Sequence, residues 1–366
     1  GASPFLESFT LSGELLASLP ALLSLLCFCA YLPRRRLRWL LLAGLATGLA
    51  VLVKQSAFDA GLAAVAFLLW REGRRGIRPA ALLVLAALVP VALAAASAAR
   101  FGDWLYAVVG YRFHGDSILT GSLLTRLHQF WTSVPPAAQG LGLLALLTAV
   151  GWRRSPLLAR LWLGAAALGV LGGGNFHTHY YLQLVPPLSV LGAIGARTLW
   201  RAGRRPALGL ALAGAAASLA LALPVALASP ARQARAIWPQ DPHLVHDAVL
   251  ARYVRAHTRA RQRVLAVWAD ADLYYLADRR PAIRYLWARN VAAVPGALAA
   301  LHRALARRRA TLVVLVQPLA SLDHTGRTAR LLLREYRRVA RIAGISIYRS
   351  RSQRKIRATA RPSTAT

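Results

Sequence analysis

The sequence predicts a polytopic α-helical membrane protein followed by a small extracytoplasmic α/β domain. Hydrophobic residues make up 57% of the 366 positions. Charged residues make up only 16%, whereas an average soluble domain is about 25% charged. The apolar residues occur in blocks that are too long for a globular core, which indicates membrane spans. After about Ser229 these blocks give way to short strands that alternate with amphipathic helices, a pattern typical of an α/β domain.

Eight apolar runs are candidates for membrane spans, since a helix needs about 20 apolar residues to cross a bilayer. The second and third runs are short, and a polar stretch that contains Lys54 and Asp59 separates them. We interpret them as a helical hairpin whose turn lies near one membrane face. The alternative is one long helix from Trp39 to Trp70, which would overshoot the bilayer. The predicted spans are 11–32, 39–53, 57–70, 80–98, 134–152, 157–173, 181–197 and 207–228.

Basic residues in the short loops predict the orientation of the spans, because loops rich in Lys and Arg stay in the cytoplasm. Loops on one side hold 15 Lys and Arg, and loops on the other side hold 4. We therefore expect a multi-pass plasma-membrane protein whose chain after about Ser229 lies outside the cytoplasm. The loops assigned to the cytoplasm are 33–38, 71–79, 153–160 and 197–206.

The sequence divides into a transmembrane domain at 1–228, an extracytoplasmic α/β domain at 229–348 and a basic tail at 349–366. The tail is rich in Arg, Ser and Thr and is predicted to be disordered. The arginines after Ser229 are expected to form mostly a solvated face. In the α/β domain we predict strands at 264–269, 311–316 and 345–348, and helices at 252–263, 297–309 and 326–338.

Composition excludes several classes of protein. Cys27 and Cys29 lie inside one apolar run and provide neither a disulfide framework nor a metal-ligand spacing. A net charge of +33 would indicate nucleic-acid binding in a soluble protein. Here the basic loops are short and lie on both sides of a membrane, so we expect anionic membrane lipids as partners and no nucleic acid.

Ionisable residues inside membrane spans are energetically costly, which makes them candidates for function. Glu14, Lys54, His177 and His179 all fall near the predicted outer face, together with Tyr180 and Tyr181. Each has a structural alternative: Glu14 as a helix cap, Lys54 as an interfacial anchor, and the His/Tyr run as an aromatic belt. The His-x-His pair has no third ligand nearby in sequence, so no metal site is assigned.

Four stretches carry a resemblance to a known family. They begin at Glu7 (ESFTLSGELL), at Gly48 (GLAVLVKQS), at Asn175 (NFHTHYYLQLVPP) and at Tyr274 (YYLADRRPAIRY). Their order and their shared side of the membrane resemble the polyprenyl-phosphate-dependent GT-C membrane glycosyltransferases, specifically the bacterial protein O-mannosyltransferase-like group. The resemblance extends over most of residues 1–348.

The resemblance implies transfer of a sugar, mannose or similar, from a polyprenyl-phosphate donor to a glycan, lipid or protein acceptor of the cell envelope. It implies that Lys54 binds the lipid phosphate, and that His179, Tyr180, Tyr181 and His177 contact phosphate or sugar. Glu14 would be a second acid that positions the acceptor or a divalent metal, which is the only cofactor left open.

One feature of the family has no counterpart in this chain. The catalytic aspartate of the family lies in the first outer loop, and no residue here matches that loop, so the catalytic base is not assigned. We expect a chain that is truncated at its N-terminus, with an inactive paralogue as the alternative. Two further classes stay open, a non-catalytic membrane scaffold or enzyme remnant and a transporter.

Overall fold

The computed structural model divides into two compact units. The first contains the apolar helices up to Ala228, and the second is formed by Ser229–Thr366 together with the short segment Tyr111–Asp116. The structure describes residues 6–7, 12–99, 105–110, 113, 122–238, 242–267, 271–287, 291–292, 294–316 and 318–351. Most of the predicted disordered tail, and the last two residues of the strand predicted at 264–269, lie outside these ranges.

The described part of the first unit contains eight apolar helices, and each predicted span falls on one of them. They are α1 (Gly13–Arg34), α2 (Leu37–Val53), α3 (Asp59–Glu72), α4 (Ile77–Ala98), α5 (Leu123–Gly151), α6 (Leu157–Gly173), α7 (Val185–Arg201) and α8 (Arg205–Ala226). Because α2 ends at Val53 and α3 begins at Asp59, the alternative of one long helix is wrong.

The described chain has five helical stretches that are long and apolar enough to cross a membrane. One of these is the 40-residue stretch from Asp59 to Ala98, in which the short segment Gly73–Gly76 separates α3 from α4. Helices α2 and α6 are apolar but only 17 residues long. The long apolar helices indicate a membrane protein, while the count of eight spans stays a prediction.

Glycines permit close contact between helices that run in the same direction. Gly44 and Gly48 of α2 lie against the backbone of α4, where an added Cβ would collide with Leu83 O and Ala87 O. Gly195 of α7 lies in the same way against the backbone of α5. Because helices that are parallel and close must both begin on the same side, these contacts agree with the alternation of spans predicted from the loops.

The second unit contains one five-stranded mixed sheet with the strand order β2-β1-β3-β5-β4. Strands β1 and β3 are parallel neighbours, with Val264 opposite Leu312, and β5 joins β3 antiparallel. The strands are β1 (Arg263–Val267), β2 (Arg280–Pro281), β3 (Leu312–Leu315), β4 (Tyr336–Ile342) and β5 (Ile345–Ser350). The helices are α9 (Pro230–Ile237), α10 (Asp247–His257), α11 (Asp272–Ala277), α12 (Ala297–Ala306) and α13 (Arg327–Glu335).

Two expectations about this unit are wrong in detail. The helix predicted at 252–263 is α10, which ends at His257. The helix predicted to continue to Arg338 ends at Glu335, and the chain continues as strand β4. In both places arginines continue the amphipathic pattern past the last residue that packs on the sheet, so the predicted helix is too long.

Helices cover both faces of the sheet, because the buried residues of its strands alternate between two hydrophobic clusters. Val264 and Leu312 pack with residues of α10 and α11 on one face. Leu265 and Val313 pack with residues of α12 and α13 on the other. A strand that is buried on both faces reads as a continuous apolar run, which is the pattern by which β1 and β3 were predicted.

Candidate active site at one end of the helical unit

The first helical unit has a polar cluster at the end where α1 and α3 begin and α2 ends. Lys54 follows the last residue of α2, and its ammonium forms an ion pair with the carboxylate of Glu14 in the first turn of α1. The Glu14 side chain is only 2% exposed and that of Lys54 is 21% exposed. Ser12 caps α1 by accepting a hydrogen bond from Leu15 N, so Glu14 is not the cap.

The ring of Tyr180 forms another wall around the Lys54 ammonium. Lys54 Nζ lies 3.8 Å from the centre of this ring, a cation–π contact. Tyr180 belongs to a 3₁₀ segment, Thr178–Leu184, that precedes α7. The structure therefore brings together Glu14, Lys54 and Tyr180, which the sequence had placed in three separate segments.

His177 and His179 extend the cluster on the far side of Tyr180. Their rings stack with centroids 5.5 Å apart, and each meets the Tyr180 ring edge to face. His179 Nδ1 lies 3.0 Å from Glu7 Oε2, and Thr178 donates to the other oxygen of Glu7 at 2.6 Å. The carboxylate of Glu7 thus fixes the orientation of the His179 ring.

Two residues of this region have a backbone conformation that is unusual outside glycine. Glu7 has a φ of 52° and Phe176, which directly precedes His177, has a φ of 49°. Non-glycine residues with such positive φ values are uncommon, and they concentrate at functional sites. Here they lie on both sides of the Glu7–His179 contact.

Asp59 is a buried carboxylate that the sequence-based site did not include. It is 3% exposed and accepts hydrogen bonds from Trp162 Nε1 at 2.6 Å and from Gln183 Nε2 at 3.0 Å. Gln183 also donates to Ser56 O at 2.8 Å, which ties the segment before α7 to the turn after Lys54. Asp59 is therefore well placed to hold this turn in a fixed conformation.

A narrow cavity with a volume of about 10 Å³, room for about one water molecule, joins the Lys54 and Asp59 groups. It has an apolar wall formed by residues of α1 and a polar wall formed by the groups described above. Its lining residues are Glu14, Ala17, Ser18, Ala21, Lys54, Ala57, Asp59, Trp162, Gln183 and Pro186.

Two other polar residues of this unit have different surroundings. Tyr181 is buried, and its hydroxyl lies 2.6 Å from Ser133 Oγ of α5, so its predicted substrate contact would require a change in this packing. Arg126 of α5 is 7% exposed, and its guanidinium donates to Asn175 Oδ1 and to Gln129 Oε1. The sequence carries no signal for this contact, because Arg126 and Asn175 are 49 residues apart.

No group of three or more His, Cys, Asp and Glu side chains that could hold a metal ion occurs among the described residues. Neither Glu14 nor the His177–His179 pair forms part of such a group in the ranges that the structure covers. At the opposite end of the unit, Arg35 and Glu72 form an ion pair at 2.5 Å. This pair is more exposed than the Lys54–Glu14 pair and serves as a reference ion pair at the other end of the helices.

Comparison with known proteins gives one family match. Residues 7–100 match the family described as dolichyl-phosphate-mannose-protein mannosyltransferase. The match supports a GT-C mannosyltransferase-like protein and confirms the resemblance drawn from the sequence. It covers the segment that carries Glu7, Glu14, Lys54 and Asp59. Searches of curated proteins and of solved structures gave no match.

The matched family implies a membrane glycosyltransferase that uses a polyprenyl-phosphate sugar donor. It leaves open the donor sugar, the acceptor and the residues that catalyse the transfer.

Proposed function

We propose that this chain binds a polyprenyl-phosphate-linked sugar through Lys54 and transfers the sugar to an acceptor of the cell envelope on the outer face of the membrane. The observation that carries the proposal is the position of the Lys54 ammonium. It lies at one end of apolar helices, between the Glu14 carboxylate and the Tyr180 ring, and it lines a small cavity. A lipid phosphate resides at this depth, next to the bilayer interface.

The use of lysine at this position supports a specific role. Only two of the 46 basic residues in the chain are lysines, namely Lys54 and Lys355. An interfacial anchor needs only a positive charge, and the chain uses arginine for that purpose in its loops. An ammonium is a compact point charge with three rotatable donors. Lys54 can therefore contact Glu14, face the Tyr180 ring and still direct a donor at a phosphate oxygen.

The transfer reaction requires a cation on the leaving group. An acceptor hydroxyl oxygen forms a bond to the anomeric carbon of the sugar, and the bond from that carbon to the phosphate oxygen breaks. The electron pair of the broken bond stays on the polyprenyl phosphate, and the acceptor proton passes to a base that this chain does not identify. Lys54 would stabilise the charge that develops on the departing phosphate, which is a differential contribution to the transition state.

The other residues of the cluster would support this interaction. Glu14 would hold the ammonium in place while the site is empty, since a buried cation without a partner is costly. The Glu7-oriented ring of His179 would donate to a phosphate or sugar oxygen, and Tyr180 would present its ring to a sugar face. Asp59 and Gln183 would hold the turn that carries Lys54.

The outer location follows from the loop charges. Loops at the end opposite to Lys54 hold 15 of the basic residues and those at its own end hold 4. By the positive-inside rule the Lys54 end faces outward, and the second unit would then lie outside as well. Protease added to intact spheroplasts should digest the second unit, and protection until lysis would contradict this orientation.

Binding of polyprenyl phosphate provides the primary test, because it does not depend on the unassigned base. The chain is reconstituted in phosphatidylcholine nanodiscs and titrated with polyprenyl phosphate. We expect saturable binding that Lys54→Ala weakens and that Arg35→Ala leaves unchanged. Equal binding by wild type and Lys54→Ala would move the phosphate contact to another residue, and absence of saturable binding by the wild type would favour a membrane scaffold or a transporter. Sugar transfer in membranes that contain the same variants then tests the catalytic step.

A further inference from the structure

The second unit contains an open groove whose described lining includes six arginines and no carboxylate. The groove has a volume of about 710 Å³ and lies beside β1, β2 and α12. Apolar and aromatic residues, including Ile283 and Tyr285, complete its wall. Its arginines are Arg263, Arg280, Arg284, Arg303, Arg307 and Arg309.

The fold places these like charges next to one another at two points. Arg263 and Arg280 are direct neighbours in the register of the parallel strands β1 and β2, where adjacent backbones are about 4.8 Å apart. Arg303 lies in the last turn of α12 and Arg307 is the residue that caps its C-terminus, four positions further along the chain. Like charges in such positions destabilise a strand pair or a helix.

Other arginines of the same unit are arranged differently. Arg308 and Arg334 both form ion pairs with Glu335, at 2.7 Å each. Among the residues that the structure describes, no ion pair involves Arg263, Arg280 or Arg303. Within the described part of the chain, the groove therefore gathers positive charge at Arg263, Arg280 and Arg303 that no described carboxylate pairs with.

We propose that this groove binds an anion with two or more phosphate groups linked in series. Arginine presents a planar fork of donors that matches phosphate oxygens in pairs, and several forks along one groove suit several phosphates. A concave wall with Tyr285 and Ile283 favours a discrete extended ligand over the flat surface of a bilayer. The site is separate from Lys54 and does not depend on the proposed transfer reaction.

The ligand chemistry has two natural sources, the diphosphate headgroup of a lipid carrier and a water-soluble phosphate polymer. Both present phosphates in series, and the groove would hold either through the same guanidinium groups. Competition distinguishes them: nanodiscs that carry a polyprenyl diphosphate should displace a soluble polyphosphate only if the groove can reach a membrane-bound headgroup.

The test titrates the full chain, in an uncharged detergent, with inorganic tripolyphosphate by calorimetry. We expect one saturable site whose affinity falls steeply as salt increases. Arg280→Ser/Arg303→Ser should weaken binding about tenfold or more, since each lost arginine removes charged hydrogen bonds. The matched control is Arg337→Ser/Arg338→Ser, which removes two exposed arginines from β4 of the same unit. The control should bind tripolyphosphate like the wild type.

Several outcomes would overturn the proposal. If the groove variant and the control lose affinity equally, the anion is attracted only by the net charge of +33. If orthophosphate binds as tightly as tripolyphosphate, the site does not recognise phosphates in series. Thermal unfolding of each variant checks that the fold is retained. The single variant Arg303→Gln, on an exposed helix position, replaces the double variant if that one does not fold.

Discussion

Replacement of Lys54 gives the sharpest test of the candidate active site. If Lys54 holds the lipid phosphate, its removal deletes a charged hydrogen bond, which is worth about 1.5–3 kcal/mol. A difference of about 1.4 kcal/mol corresponds to a factor of ten in affinity. The Lys54 side chain is 21% exposed, so solvent screens it only in part. We therefore expect Lys54→Ala to weaken polyprenyl-phosphate binding by roughly 10- to 100-fold.

The simple variant has a structural side effect that the experiment must separate. Lys54→Ala leaves the Glu14 carboxylate buried and without its cation, and breaking a buried ion pair from one side costs about 3–5 kcal/mol. The double variant Lys54→Gln/Glu14→Gln removes both charges and retains hydrogen-bonding groups of similar size. It should express and unfold like the wild type, yet bind polyprenyl phosphate as weakly as Lys54→Ala.

Two further variants decide between a phosphate site and an anchor. Lys54→Arg keeps the positive charge but changes its shape, so a phosphate site should retain only part of the binding and transfer. If Lys54 is only an interfacial anchor, Lys54→Arg should bind and transfer like the wild type. Arg35→Gln disrupts the comparable ion pair with Glu72 at the other end of the helices and should have no effect on binding. Wild-type binding by the Lys54/Glu14 double variant would refute the reasoning, and His179 would become the next candidate for the phosphate.

Three other predictions concern the surroundings of this site and the second unit. Glu14→Gln should tighten polyprenyl-phosphate binding several-fold, because the carboxylate that competes for the Lys54 ammonium is lost; unchanged or weaker binding in the same titration would contradict this. Gly48→Leu should lower the thermal stability of the first unit and weaken binding, because a side chain at this position collides with α4; Leu49→Ala on the exposed face of α2 is the control. The second unit should lose stability in acid, first as the pH falls below about 6.5 and again below about 4. Burial lowers the pKa of His302 despite the opposing effect of Asp323. For Asp323 the hydrogen bonds from Thr325 and Thr328 lower the pKa although burial alone would raise it. Both groups thus favour their deprotonated forms in the folded state, and Asp323→Asn should abolish the lower transition in a pH series of thermal unfolding.

The sequence was sufficient to place Lys54 and Glu14 at the same end of the helices. Each span reverses the direction of the chain, so residues that start odd-numbered spans and residues that end even-numbered spans must lie on the same side. Glu14 starts the first span and Lys54 follows the second. This argument gives the side but not the contact, because it contains no information about which helices are neighbours.

The Asp59 network could not be predicted in the same way. Its donors, Trp162 and Gln183, are 103 and 124 residues away, and neither is ionisable. Trp162 reads as one more apolar residue of a span, and Gln183 as part of a polar entry segment. The available signal was Asp59 itself, because a carboxylate inside an apolar run requires donors from elsewhere.

Strand β4 was missed because its residues resemble the helix that precedes it. Tyr336–Ile342 contains three arginines, which continue the exposed face of α13. The strand lies at the edge of the sheet, where charged residues are common because they discourage pairing with other chains. The turn at Ala343 and Gly344, both with positive φ, marks the hairpin that follows. A two-residue turn directly before the predicted strand 345–348 indicates a hairpin, and it was a better signal for strand β4 than the arginine pattern.

The Lys54–Glu14 ion pair stabilises the fold, but it also weakens binding of a phosphate to Lys54. Because the opposite charges of Lys54 and Glu14 cancel, the two residues can lie at the ends of apolar helices without leaving an unpaired buried charge. The same carboxylate competes with any phosphate for the ammonium. The polyprenyl-phosphate sugar donor must therefore replace part of the Lys54–Glu14 interaction when it binds. Its phosphate becomes a better partner for Lys54 as negative charge accumulates on it during transfer. An arrangement that binds the ground state modestly and the leaving group more strongly is the one that accelerates a reaction. On this argument the Glu14→Gln variant should gain affinity for the product polyprenyl phosphate and lose turnover, because the site would then release its product slowly.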